Sequence, residues 1–325
     1  MGSGVLALTT HSLSGRWPFL SPVAYGLHLF NLFLFAVLAV PWLLRWLRFR
    51  EAAMNTLRHP VQASFYPTFA IAMLVIAAQF LAIGGKRDAG AGLLVGRRGA
   101  RLRVQLRGAV PHVPRRTCRL EHVTPAKFIP AVGLVVIPVA GGPLLELQEG
   151  AARELALLLN LLGLGAGIMM YLGLLGLTLQ RKLLAKTGRR HPDADGVDSS
   201  RAARRHPGQP AQCARPAAVR GAARPFLFIA LMLWGFGVWW LVMASLLTVA
   251  ARRAGQMPFA LSWWGFTFPL GAFVAASLRL SPLTGIVAVD TVGVACWVLL
   301  AVIWSVTLTH TLRGVVSGAI FHPHP

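Results

Sequence analysis

The chain has 325 residues, of which 55% are hydrophobic and 13% charged, and its mean hydropathy is +0.61. Soluble domains carry about 25% charged residues, so this balance excludes a soluble globular protein and points to a bilayer. A net charge of +22 would suggest a nucleic-acid binder, but ten of the 32 Lys and Arg lie between Lys86 and Arg119 and eleven between Arg181 and Arg224, so the excess is local.

In chain order, the opening "MGSGVLALTTHSLS" has the composition of the second half of a membrane helix, with the true start expected upstream. Stretches long and apolar enough to span a membrane follow at residues 24–44, 68–85, 128–145, 155–179, 226–251, 259–278 and 285–309. Cytoplasmic loops collect Lys and Arg. Arg45, Arg48, Arg50 and Arg58 therefore put the end of the first full span inside, and Arg252, Arg253 and Arg313 mark later inside ends. Glu146, Glu149 and Glu154, set against Arg153 alone, put the intervening loop outside.

Parity then requires two crossings between Arg58 and Lys127 and two between Arg181 and Arg252, where one apolar run is visible in each. The gaps are residues 86–119 and 181–224, two segments rich in Arg, Pro, Gly and Ala. Arginine at the bilayer centre costs roughly 2.5–3.5 kcal/mol, so neither segment spans as written. Two readings stay open: basic low-complexity loops, or spans read in a shifted frame, since GC-rich DNA translated out of frame gives this composition. With the half-span and the two gaps counted, the plan is ten helices in one transmembrane domain over residues 1–325, both termini cytoplasmic.

The odd-numbered helices of this plan carry an aromatic just before a proline. Helix three opens with Phe65 and Pro67, helix five with Phe128 and Pro130, and helix nine holds Phe266, Phe268, Pro269 and Phe273 in "WWGFTFPLGAF". The even helices are smoother, apart from Pro41 near one end. Proline inside a helix removes a backbone hydrogen bond and bends the axis. In hydrocarbon such bends persist beside protein or a water-filled cavity. The odd helices are thus expected as a kinked inner ring around a conduction path, the even ones against lipid. At 100° per residue, Phe266 and Phe268 point about 160° apart. One of the two should turn to the lumen, where an apolar ring can close a narrow pore by sterics and dewetting.

The motifs "SWWGFTFPLGAF", "LRHPVQASFYPTF" and "LEHVTPAKFIPAVGLVVIP", with the opening "MGSGVLAL", resemble the tellurite-resistance/dicarboxylate transporter family. That family includes bacterial tellurite-resistance proteins, fungal malate and sulfite transporters and plant slow-type anion channels. The resemblance runs from Met1 to Pro325 outside the two basic segments. It implies an all-α integral membrane fold of five helical hairpins around a central pore, with helices four and seven and half of helix one degraded here. It also implies a homotrimer and a gating phenylalanine before the proline of helix nine. Phe268 matches that position and Phe266 is the second candidate; Phe65, Pro67, Phe128, Pro130, Pro269 and Phe273 are the expected pore-lining set.

No enzymatic constellation is present: HExxH, GxSxG and GxxxxGK[ST] are all missing. Cys118, Cys213 and Cys296 are odd in number and far apart, which fits neither a disulfide framework nor a metal pair. His322 and His324 form a tail short of metal ligands, and His122 beside Glu121 is read as a contact residue at a helix end. Asp290, the one acid well inside an apolar run, is expected to pair with Arg279. The reading is therefore passage of a small dicarboxylate, tellurite, sulfite or halide anion through a phenylalanine-gated pore in a bacterial inner membrane. It requires no catalytic residue, cofactor or metal. Its partners are small inorganic or carboxylate anions and membrane lipid. The alternative is a non-functional product of a damaged transporter gene. Nucleic acid is not an expected partner, because the Arg-rich segments lack interleaved aromatics for base stacking.

Overall fold

A computed structural model of the chain describes residues 1–58, 62–84, 128–145, 148–186, 217–255 and 259–318. All regular structure in these residues is helical: α1 (Gly2–Ser14), α2 (Leu20–Arg48), α3 (Arg50–Arg58), α4 (Pro67–Ala82), α5 (Phe128–Leu145), α6 (Gly150–Lys186), α7 (Ala217–Arg253), α8 (Trp264–Thr284) and α9 (Val287–Val316), with short 3-10 turns at Gln62–Phe65 and Leu261–Trp263. The protein is an all-α integral membrane protein: six of these stretches are long and apolar enough to cross a bilayer, and α5 adds a shorter apolar helix. Residues 86–119 and the central part of 181–224 lie outside the described residues. The ends of the second segment belong to α6, up to Lys186, and to α7, from Ala217.

Helix boundaries follow local chemistry. Pro67 occupies the first position of α4, where its missing N–H costs nothing. Gly285 closes α8 in the left-handed region, φ +68°, with its N–H donating to the Ser281 carbonyl at 2.9 Å. The sharp return brings α9 back along α8.

Burial separates two kinds of helix. Nine of the thirteen residues of α1 are buried, whereas none is buried in the most apolar stretch of α7. Helices α1, α4, α5 and α8 pack side by side in the order α8, α1, α4, α5. Outside them, α2 packs on α1, α6 on α5, and α7 and α9 on α8. The outer helices expose Phe33, Leu47, Leu162, Phe228, Met232 and Leu246 among many others. That is a surface suited to acyl chains, and no water-soluble protein would show it.

Two internal clusters join the helices. Val5, Ile71, Leu74, Val75, Ala78, Leu134, Val136 and Ile137 link α1, α4 and α5; Leu6, Leu270, Val274, Cys296 and Leu300 link α1, α8 and α9. Glycines set the closest approaches: a Cβ on Gly271 would overlap the Val5 side chain, and one on Gly2 would overlap Thr267. Because hydrocarbon gives no hydrophobic reward for association, this tight packing of small residues is a main source of cohesion.

The expectation of kinks at every aromatic-proline step needs correcting at two of three sites. Pro67 and Pro130 stand in the first turns of α4 and α5, where the N–H has no intrahelical partner to lose. The prolines inside inner helices are Pro138 and Pro143 in α5 and Pro269 and Pro282 in α8.

Candidate functional site

Several buried polar groups among the inner helices come with partners, while Asn160 of α6 is buried with neither amide atom hydrogen-bonded among the described residues. Asn31 of α2 donates Nδ2 to Gln79 Oε1 of α4 at 2.9 Å, and Gln79 Nε2 donates to the Gly4 carbonyl of α1 at 3.1 Å. Both amide side chains are almost fully enclosed. Beside them a crevice of about 240 Å³ opens between α2 and α4, lined by Asn31, Phe35, Trp42, Thr68 and Phe69 with Met1.

Indole groups fasten the helix pairs. Trp297 and Trp304 of α9 donate to Thr10 Oγ1 and Ser3 Oγ of α1 at 3.1 and 3.0 Å. The two rungs are seven residues apart on each helix, two turns, so α1 and α9 run antiparallel along one seam. Trp234 of α7 donates to Ser277 at 2.8 Å, and Trp264 to Thr311 at 3.1 Å. Each bond hides an N–H that hydrocarbon would leave unsatisfied.

The aromatic-proline step lies in the first turns of α8. Phe268 is half-buried and packs against the cluster shared by α1, α4 and α5. Next to it, exposed Pro269 cannot donate to the Gly265 carbonyl one turn back, and a Cβ on Gly265 would meet open space. Phe266 points away, 38% exposed, with its ring edge-on to Trp263 at 6.4 Å.

The other expected residues are dispersed. Phe273 stacks on Trp234 of α7 at 5.9 Å and abuts Gly237, about 140° around α8 from Phe268. Phe128 meets Tyr171 of α6 edge to face at 5.3 Å. Phe65 is half-exposed in the turn before α4. Pro67 lies beside Gly133 where α4 meets α5, and Pro130 is half-buried. Among the described phenylalanines, Phe268 packs on the cluster of α1, α4 and α5, whereas Phe273 packs on the one shared by α1, α8 and α9.

The Asp290–Arg279 pair does not form. Asp290 binds Arg16, in the loop between α1 and α2, through Nη1 to Oδ2 at 2.7 Å and Nη2 to Oδ1 at 3.1 Å. Helix α9 lies on the Ser277 side of α8, where a Cβ on Gly293 would come within 2.8 Å of Ser277 Cβ. Arg279, two residues on, points about 160° away. Cys296 is buried and free; Cys118, Cys213, His122, His322 and His324 lie outside the described residues.

The class follows from this arrangement: a helical membrane protein with polar side chains turned inward on adjoining helices and large apolar ones turned out. The chain belongs to the voltage-dependent anion channel family, whose model matches residues 1–193 and 200–312. It is 35% identical over 332 residues to an uncharacterized transporter of Methanocaldococcus jannaschii, covering 100% of this chain and 93% of that one. A second uncharacterized transporter of that organism is 34% identical over 328 residues, covering 99% and 94%. A sulfite efflux pump of Arthroderma otae is 24% identical over 346 residues, covering 99% and 90%. The chain is therefore a member of a membrane anion-transport family, not an enzyme.

Proposed function

We propose that the chain carries a small anion across the membrane between α1, α4, α5 and α8, with Phe268 as the gate. The observation that carries this reading is the position of Phe268: the one phenylalanine of the aromatic-proline step whose ring packs on the cluster of the other inner helices. The position of Pro269 inside α8 supports it, because a carbonyl left without its helical partner in lipid belongs beside protein or water. Removing the ring widens the path and removes a dewetted constriction. Movement is passive or proton-coupled and makes no covalent bond. The domain is one transport unit interrupted by the basic segments, assembled as a homotrimer, each subunit with its own path.

Sulfite is the first anion to test, given the fungal relative's name, followed by dicarboxylate, tellurite and halide. The full chain in liposomes reports on the gate directly. Phe268→Ala is expected to raise anion conductance well above that of the unaltered protein, and Phe266→Ala to leave it near the starting value. Equal conductance of Phe268→Ala and the unaltered chain, in preparations that both transport, counts against the gate.

A further inference from the structure

Arg279 has no hydrogen-bond or ion-pair partner among the described residues, and Asp290, the acid nearest in sequence on the neighbouring helix, is engaged at both oxygens by Arg16. A charge inside a membrane helix is costly, and those that persist face the bundle interior or a water-filled cavity, or reach toward an interface. The direction of Arg279 can be read from its neighbours on α8. Thr267 and Gly271 meet α1, Ser277 meets α9, and Phe273 meets α7. Arg279 lies on none of these sides.

It lies instead above Phe268. The two are eleven residues apart, which at 100° per residue brings them within about 20° of one direction and separates them by about 16 Å along the axis. Phe268 packs on the cluster of α1, α4 and α5, and Arg279 lies on the same side of α8, three turns nearer the end where Arg16 and Asp290 meet. Between the two on that side stand Ala272, Ala275 and Ala276, whose methyl groups leave room. Arg279 is exposed at the end of this row.

We infer that Arg279 is the anion-selecting residue of the pathway, a fixed cation that draws anions into the path on the Arg16–Asp290 side of Phe268. Its planar fork of donors also suits the paired oxygens of a carboxylate or sulfite. The inference rests on the gate reading, since Phe268 defines which side of α8 faces the path.

The test uses the full chain in liposomes under a potassium chloride gradient, in the Phe268→Ala background, with chloride and then sulfite as the permeant anion. Arg279→Gln is expected to lower anion conductance roughly tenfold, the scale set by one charge at a few ångströms in a partly screened site. It should also move the reversal potential toward the cation value, while Arg279→Lys restores both. As a check independent of those variants, Arg279→Cys should lose conductance on treatment with a negatively charged, membrane-impermeant thiosulfonate that spares the unsubstituted chain. If Phe268→Ala conducts and Arg279→Gln changes neither conductance nor reversal potential, Arg279 lies off the path and the inference falls alone. If Phe268→Ala has no effect but Arg279→Gln still shifts the reversal potential, the gate fails and Arg279 stands. Labelling of Arg279→Cys only by a lipid-soluble maleimide places the residue against acyl chains and overturns the inference.

Discussion

Arg16 and Asp290 are 274 residues apart and form a two-pronged ion pair, Nη1 to Oδ2 at 2.7 Å and Nη2 to Oδ1 at 3.1 Å. The pair ties the loop after α1 to the first turn of α9 and leaves Arg279 without that carboxylate. Arg16 is half-exposed, so screening keeps the coupling modest, on the order of 0.5–1 kcal/mol for a well-aligned exposed pair. A double-mutant cycle of Arg16→Gln and Asp290→Asn, read by thermal unfolding in detergent, should show that coupling. The cycle of Arg279→Gln with Asp290→Asn should be additive. The reverse pattern would restore the pairing expected from the sequence.

The seam between α1 and α8 depends on Gly271. A methyl there overlaps Val5, and α1 cannot move away without disturbing the Trp304–Ser3 and Trp297–Thr10 bonds that tie it to α9. Gly271→Ala is expected to destabilise the chain by about 1–3 kcal/mol, the cost of overpacking a close core. Val5→Ala in the same chain should recover part of it. Full stability of Gly271→Ala alone would show that the helices are looser than described.

Gln79 spans two partners on two helices. Gln79→Leu leaves the Asn31 amide with a lost acceptor in a buried site. The expected loss is about 0.5–2 kcal/mol, small because polar groups in a membrane also find partners in the unfolded state. Adding Asn31→Leu should return stability toward the original value, measured by thermal unfolding. A double variant as unstable as the sum of the singles would argue against the shared bond.

Phe273 separates packing from gating. Its ring stacks on Trp234 and fills the space beside Gly237. Phe273→Ala should therefore lower the unfolding temperature and leave conductance per folded protein unchanged, the opposite of Phe268→Ala. A rise in conductance with stability intact would move Phe273 to the pathway.

The membrane class was legible in the sequence because hydropathy integrates over about 20 residues and needs no partner to be read. The span 128–145 recurs as α5 with the same bounds, 155–179 and 226–251 recur extended as α6 and α7, and 259–278 recurs as α8 with its bounds shifted toward the C-terminus. The split into inner and outer helices was also suggested by proline placement, although Pro67 and Pro130 open their helices and do not bend them. The seven-residue spacing shared by Ser3 and Thr10 with Trp297 and Trp304 was present in the sequence. Its meaning needed the two helices side by side.

By itself, then, the sequence determined that these segments are helices in lipid, because each satisfies its own backbone and each is apolar on every side. Which side of α8 faces inward was settled by tertiary packing. A span apolar all round carries no stripe to orient it, so the close approaches at Gly271, Gly293 and Gly237 fix its rotation. That rotation turns Phe268 to the inner helices, Phe273 to α7, and Arg279 away from the acid with which its sequence position seemed to match it.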